Sequence, residues 1–448
     1  MNRTDNAIGL PQPLGSVASR SVVETGVATR RFTGHRARLE LSAAQADKAE
    51  TQAHAARGLW NLLHAWWQMM PREKRTLAHA DAAIREGRKE IHWLGALPAQ
   101  AAQQVLKAYA RAWQNHWAGR AEAPKYKHRS RSPLSVDIPQ GAHLQVVRVH
   151  RRWDMASIPK IGRVRFRWTR ELPVGRRAGQ DRRITGARLI RDALGWHLAF
   201  RVQACVPTPP PHPGPAVGID LGVTVPLALS DGTVFRHGPW LTVPEQAKLL
   251  RLQRRAAHRR SHHDPGLPPS RRLGRTYDQI ATLRAKAKRR ALDWQHKTTT
   301  TIAATYSTVV VEDLAIANMV RSARGTKDTP GTNVAQKAGL NRVIHGEAWG
   351  RTVALLSYKT DRSGGALFRV APQGTSQRCS ACGHTTRGSR ESQAVFVCKN
   401  PECGWAGNAD HNASRNVLHL YRIGLVAVPA AGRAVVRRAR RVKPVVAR

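Results

Sequence analysis

Four cysteines near the C-terminal end constrain most strongly what this chain can fold into. Two residues lie between Cys379 and Cys382, four between Cys398 and Cys403, and fifteen separate the pairs. Two close pairs of thiols at such knuckle spacings suit one tetrahedral zinc ion, so a structural zinc ribbon is predicted over 376–404. Asp410 follows seven residues after the last cysteine, in Asn408-Ala409-Asp410-His411-Asn412-Ala413-Ser414. A ribbon that delivers the chain into a carboxylate suggests a scaffold beside a second, catalytic metal site. The alternative for the cysteines is two disulfides in a secreted protein. No signal-peptide core is visible, which favours metal-bound thiolates in a reducing cytosol. Cys205, the fifth cysteine, is expected as a buried thiol in a strand.

The charge balance says what the chain meets. Lys and Arg number 74 against 29 Asp and Glu, a net charge of +45 over 448 residues. Such self-repulsion in a folded protein calls for a polyanion, and so many cations suit a long nucleic-acid backbone. No run approaches membrane-spanning length, so no membrane partner is expected. The expected location is cytoplasmic, in a prokaryote and associated with its nucleoid. Hydrophobic content of 41% supports buried cores in a chain too long for one domain.

Residues 1–30 show no hydrophobic period and read as a disordered N-terminus, with a transit peptide as the weaker alternative. Residues 31–42 read as a first strand. From Ser42, a plausible N-cap, the pattern is helical to about Trp117, with Pro71 ending a first long helix and Leu97-Pro98 opening another. Val105, Tyr109, Ala112, Trp113 and Trp117 share one helix face, read as core, with a base-stacking platform as the alternative. Lys125, Tyr126 and Lys127 sit in a basic stretch suited to phosphate.

The period then shortens to two. Arg163, Arg165 and Arg167 alternate with Val164, Phe166 and Trp168, which predicts a strand with one cationic and one buried face. Trp196, Leu198, Phe200 and Val202 repeat the pattern, so 129–206 is read as a sheet or small barrel able to face a nucleic-acid backbone. Six prolines in the nine residues 207–215 mark a stiff linker and a domain boundary.

Beyond the linker, Asp220 lies in the apolar run Ala216-Val217-Gly218-Ile219-Asp220. Asp231-Gly232 predicts a hairpin between Leu227–Leu229 and Val234–Phe235. Residues 244–305 read as one or two basic helices that include Arg289 and Arg290. Thr308–Val311 form a β-branched strand that ends in Glu312-Asp313. Neighbouring strand side chains point to opposite faces, so only one acid can join Asp220. Glu312 is chosen, with Asp313 left to start a helix or pair with a base. Asp410 is the third acid. Carboxylates suit hard Mg²⁺, and three of them fit two-metal phosphodiester hydrolysis, with ions roughly 3.5–4 Å apart.

On several of these motifs the sequence resembles the TnpB family, RNA-guided nucleases encoded by IS200/IS605-type transposons, and equally the compact type V CRISPR effectors. The matching residues are Gly218-Ile219-Asp220-Leu221-Gly222, Val311-Glu312-Asp313-Leu314, Gly339-Leu340-Asn341-Arg342, Thr375–Gly383 and Asn408–Ala413. Leu97–Gln100 and Pro159–Gly162 extend the resemblance, which covers roughly 97–417. It implies a multidomain α/β protein: a RuvC-type RNase H fold with an inserted zinc ribbon, a helical recognition lobe and a β-barrel wedge domain. The implied segments are a first wedge strand at 31–42, a recognition lobe at 43–128 and a wedge barrel at 129–206. The nuclease follows at 216–375 and 405–425, then a basic tail at 426–448. Asp220, Glu312 and Asp410 would bind two catalytic Mg²⁺, and Cys379, Cys382, Cys398 and Cys403 a structural Zn²⁺. The implied partners are guide RNA, target double-stranded DNA and the displaced single strand, with a short flanking motif read beside the target. Arg321–Ala338 would be a lid over the site. Two departures stand out: four residues rather than two within the second cysteine pair, and Asn408 where the family often has an acid.

The leading expectation is therefore an RNA-guided DNA endonuclease that leaves a 5′-phosphate and a 3′-hydroxyl. An RNA-guided binder that cuts poorly and an RNA-independent transposase accessory protein are the alternatives.

Overall fold

The computed structural model describes residues 28–128, 132–174, 182–264, 266–326 and 328–427. The readings of the N-terminus up to residue 27, of 129–131 within the basic stretch and of the tail from 428 lie outside the described residues.

The N-terminal half combines a helical layer with an antiparallel sheet. Strand β1 (Ala28–Glu40) leads into helices α1 (Ala43–Met69), α2 (Leu77–Glu90), α3 (His92–Gly95) and α4 (Ala99–Trp117). Ser42 caps α1 by accepting from the Gln45 N–H while the Gln45 side chain returns to the Ser42 N–H, the reciprocal pairing that starts a helix most cleanly. The strands that follow are β2 (Ser135–Ile138), β3 (Val147–Arg148), β4 (Trp153–Ile158), β5 (Gly162–Arg167), β6 (Arg182–Asp192) and β7 (Gly195–Pro207). Their order across the sheet is β2-β6-β7-β1-β5-β4-β3.

The period-two reading holds. Val164 and Phe166 are buried while Arg163, Arg165 and Arg167 are exposed, and Trp196, Leu198, Phe200 and Val202 all enter the core. One apolar cluster joins α1, α2 and α4 to the sheet, through Leu59, Leu63, Tyr109, Leu189 and Phe200. Three expectations change. The first strand starts at Ala28 rather than residue 31, because β1 pairs with β7 from Ala28 opposite Pro207 onward. The sheet is open among the described residues, since β2 and β3 stand at its two ends. Long β1 hands over from β7 to β5 only at Leu39 and Glu40, so the sheet bends without closing. Cys205 is in a strand, as expected, but only half-buried.

The C-terminal half is built on a mixed sheet. Its elements are β8 (Ala216–Asp220), β9 (Leu227–Leu229), β10 (Val234–Phe235), α5 (Val243–Ser261), α6 (Arg271–Thr305), β11 (Thr308–Glu312), α7 (Ile316–Met319), α8 (Val334–Glu347), α9 (Trp349–Arg362) and β12 (Ala366–Val370). The ribbon strands β13 (Val395–Val397) and β14 (Ala406–Asn408), helix α10 (Ala409–Arg422) and strand β15 (Val426–Ala427) complete it. The order β10-β9-β8-β11-β12-β15 has parallel pairing for β8, β11 and β12 and antiparallel pairing elsewhere. Central parallel strands need cover on both faces, and the Val-rich β11 is fully buried at Val309, Val310 and Val311. Helix α9 covers one face, and α10 the other. Val426 and Ala427, expected in the tail, instead extend the sheet beside β12.

Helix α10 lies very close to β8. A Cβ on Gly218 would stand 2.2 Å from the Ser414 carbonyl oxygen and 2.7 Å from the Leu418 nitrogen, so only glycine admits the helix backbone there. The two basic helices α5 and α6 pack on each other through Leu252, Ala256, Leu273, Ile280 and Leu283. The linker is pinned at His212, whose N–H donates to the Gly364 carbonyl and whose ring meets the Ala304 carbonyl.

Candidate active site and ribbon

Parallel register places the first two acids together. Val311 is opposite Ile219 in the β8–β11 pair, and Asp220 and Glu312 are the next residue on each strand. Side chains at matching positions of adjacent strands share a face at about the 4.8 Å strand spacing. Asp410 arrives from the first turn of α10, the helix packed on β8. Asn408 caps that helix, its Oδ1 accepting from the N–H groups of Asp410 and His411 at 3.0 Å each. The departure from the family pattern thus has a local role: asparagine is a strong N-cap.

The electrostatics follow from the crowding. Burial pushes the Asp220 carboxyl up to about 7, and the charges of Glu312 and Asp410 push the same way. Burial also raises Glu312, opposed by a hydrogen bond from Thr375 and by the charge of Arg390. Among the described residues, Arg390 is the guanidinium whose charge acts on this poorly solvated group of acids. Arg390 comes from the ribbon, and its Nη2 donates to Asp410 Oδ1 at 3.0 Å and to the Gln393 carbonyl at 2.8 Å. Gln393 in turn donates to the Thr224 hydroxyl at 2.6 Å, just past β8. The ribbon loop thus crosses the acids. Sequence reasoning missed Arg390, one of several arginines in a Gly- and Ser-containing loop, because nothing local says where that loop lands.

Glu312 and Asp313 separate as strand alternation requires. Glu312 faces the other acids and accepts from Thr375 Oγ1 at 2.5 Å, while Asp313 pairs with Arg369 at 2.7 Å. The Arg321–Ala338 segment folds back on itself through a Gly325–Pro330 bridge. Lys337 Nζ ties it to the Met319 carbonyl.

The four cysteine sulfurs lie within 4.8 Å of one another, the one such metal-capable group among the described residues. Sulfurs about 2.3 Å from a common zinc ion would stand about 3.8 Å apart at tetrahedral angles. The Cys379–Cys403 and Cys382–Cys398 separations are 3.9 and 3.6 Å. The donor set fits zinc, and the wider second spacing is taken up by a turn in which the Asn400 carbonyl accepts from Cys403 and Gly404. The acids do not close to that single-ion spacing. Their all-oxygen donors and unbalanced negative charge fit hard divalent cations.

The expected nucleic-acid contacts have divided fates. Arg289 bonds Asp192 and His197, Arg290 bonds Glu245, and Lys125 bonds Glu122. Lys127 lies 3.7 Å over the Trp60 ring, and burial lowers it to about 8. The Tyr126 hydroxyl donates to Gln68. Arg165 pairs with Glu40 and stacks on Trp153, where Arg167 joins it. Arg163 is exposed on the same strand face. Along α1 and α4, Trp67, Trp113 and Trp117 form a stack that begins against the core and ends 62% exposed at Trp117.

Residues 349–417, from α9 through the ribbon into α10, match the family model described as Cas12f1-like, TNB domain. Residues 199–323 match the model described as "Probable transposase". Over 330 residues, 73% of this chain and 76% of the relative, it is 34% identical to InsQ of Escherichia coli (strain K12), named as a candidate RNA-guided DNA endonuclease. The chain belongs to the TnpB family. A relative from Streptomyces pristinaespiralis, also named as a candidate RNA-guided DNA endonuclease, is 27% identical over 355 residues, 77% of this chain and 78% of that one. A shorter match, 47% identical over 60 residues, 13% of this chain and 14% of the other, is to the CRISPR-associated endodeoxyribonuclease Cas12f1 of Sulfoacidibacillus thermotolerans. Among the described residues no helix is long and apolar enough to cross a membrane.

Proposed function

We propose that this chain is an RNA-guided DNA endonuclease whose acids Asp220, Glu312 and Asp410 hold two Mg²⁺ ions at the cutting site. The observation that carries the site is the charge imbalance: burial, then the charges of Glu312 and Asp410, push Asp220 up to about 7, and among the described residues Arg390 is the cation that opposes them. A cluster so poor in cations is suited to taking them from solution.

In this reading the mixed sheet, with β10-β9-β8-β11-β12 in the order 3-2-1-4-5, is a RuvC-type RNase H core. The N-terminal half supplies the recognition helices and wedge. The cationic face of β5 and the arginines of α5 and α6 would lie along guide RNA and target DNA, held by backbone and shape while base pairing reads sequence. The exposed members include Arg163, Arg254 and Arg255. The cysteines would hold a structural Zn²⁺. Bound divalent ions would supply an activated water and a stabilised leaving oxygen. The chain's own acids fix where those charges sit, and Arg390 stands where a scissile phosphate would draw its guanidinium from Asp410.

The test is cleavage of a target plasmid by the protein with its guide RNA and Mg²⁺, against Asp220→Ala. Several kcal/mol of lost charge stabilisation corresponds to about a thousandfold or more in rate. A variant that cuts like wild type removes Asp220 from the mechanism. Target binding without any cutting by wild type favours the binding-only alternative.

A further inference from the structure

Glu312 is gripped from a direction the acids alone do not explain. Thr375 is buried at the entry to the ribbon, and its Oγ1 donates to Glu312 Oε1 at 2.5 Å. The same hydroxyl stands 3.0 Å from the Pro372 carbonyl. It has one hydrogen, and the closer, negatively charged oxygen takes it. That leaves Glu312 Oε2 unclaimed by Thr375, so one carboxylate oxygen is fixed and the other can face a cation.

Thr375 is itself held by α10. Asn416 Nδ2 donates to the Thr375 carbonyl at 2.9 Å and to the Arg378 carbonyl at 2.6 Å, and Arg378 returns a bond to Asn416 Oδ1 at 2.8 Å. One turn earlier, Asn412 Nδ2 donates to the Arg378 carbonyl at 2.7 Å, and Asn412 Oδ1 accepts from the Ser380 N–H at 2.8 Å. Both asparagines are fully buried. Buried amides with all of these partners in place rigidify what they touch. Helix α10 therefore presents Asp410 from its first turn and clamps the residues on either side of Cys379 from its next two.

We propose that Thr375 is the positioning residue for Glu312, and that Asn412 and Asn416 fix Thr375 by locking the ribbon's entry turn onto α10. The zinc ribbon then does more than cover the site: its root sets the angle at which the second acid meets a cation. This rests on the proposed metal-dependent nuclease. Groups that orient a metal ligand from behind typically change affinity or activity by about 10–100-fold.

The experiment uses the full chain with its guide RNA and compares wild type, Thr375→Val and Thr375→Ser. Mn²⁺ binding is followed by electron paramagnetic resonance, with zinc content and unfolding temperature measured alongside. Valine keeps the shape and removes the hydroxyl; serine keeps the hydroxyl. Thr375→Val is expected to weaken Mn²⁺ binding and raise the Mg²⁺ concentration for half-maximal cleavage at least tenfold, with zinc content unchanged. Thr375→Ser is expected within about threefold of wild type. Valine binding Mn²⁺ like wild type overturns the positioning role and leaves the nuclease reading standing. A loss in valine that serine does not restore also overturns it. Wild type that takes up no Mn²⁺ overturns both.

Discussion

Two charged clusters in this chain are near mirror images. At the seam between the halves, Asp192 is held between two guanidiniums, Arg36 at 2.6 Å and Arg289 at 3.0 Å, with the ring of His197 at 3.7 Å. At the proposed cutting site, Arg390 faces a group of acids. The first cluster is complete. Its backbone bond from Leu194 and its cations hold the Asp192 carboxyl below the usual carboxylate range against the cost of burial. Burial and the neighbouring guanidiniums push His197 down to about 4. The second cluster is incomplete, and its leading acid is pushed the opposite way. A surplus of cations around one carboxylate makes a clamp within the protein. A surplus of carboxylates around one guanidinium makes a demand on the solvent.

Substitution should separate the two most widely. Asp410→Ala should cut about a thousandfold more slowly and, in chelated buffer, unfold no earlier than wild type, because it removes repulsion. Asp192→Ala should keep its cutting rate and lose about 1–2 kcal/mol of stability, since it strands partly exposed guanidiniums. Cleavage assays beside thermal unfolding of both variants decide it. Equal stability losses would erase the contrast.

Acidity should act on them with opposite sign. A base lowered in the folded state gives stability that is present above its unfolded value, so the His197 contribution is lost as pH falls from 6.5 toward about 4. An acid raised in the folded state does the reverse, so chelated protein should lose stability through Asp220 as pH rises from 3.8 toward about 7. Unfolding midpoints between these limits should lose one slope in His197→Gln and the other in Asp220→Asn. Either variant tracking wild type would break the comparison. The smallest effect is expected at Asp313, whose exposed pair with Arg369 is of the kind worth less than about 1 kcal/mol. Asp313→Asn should leave cutting nearly unchanged, in contrast with its neighbour Glu312.

What the sequence made legible was chiefly local. Ser42 starting α1, Asp231-Gly232 turning β9 into β10, the alternation of β5 and β7 and the cysteine spacing all depend on residues close in the chain. Asp220 and Glu312 were readable as candidates for one face because each ends an apolar run; strand alternation allowed only one of Glu312 and Asp313 to join, and the structure shows that it is Glu312. Thr375, Arg390 and the Asp192 clamp were not. Their meaning comes from partners 63, 20 and 97 residues away, and no periodicity encodes such meetings. Arg289 and Arg290 show the same limit in reverse. Read by charge alone they point to nucleic acid, whereas the fold engages them with Asp192 and Glu245.

The contact at Gly218 reaches further than packing. Helix α10 carries Asp410, grips Thr375 through Asn416 and, at this one point, rests its backbone against β8, two residues before Asp220. How far apart the first and third acids stand is thus set by the thickness of two main chains with no side chain between them. A single methyl group there would act as a shim, widening the gap between the acids of the proposed cation site and shifting the seat of the ribbon in one movement.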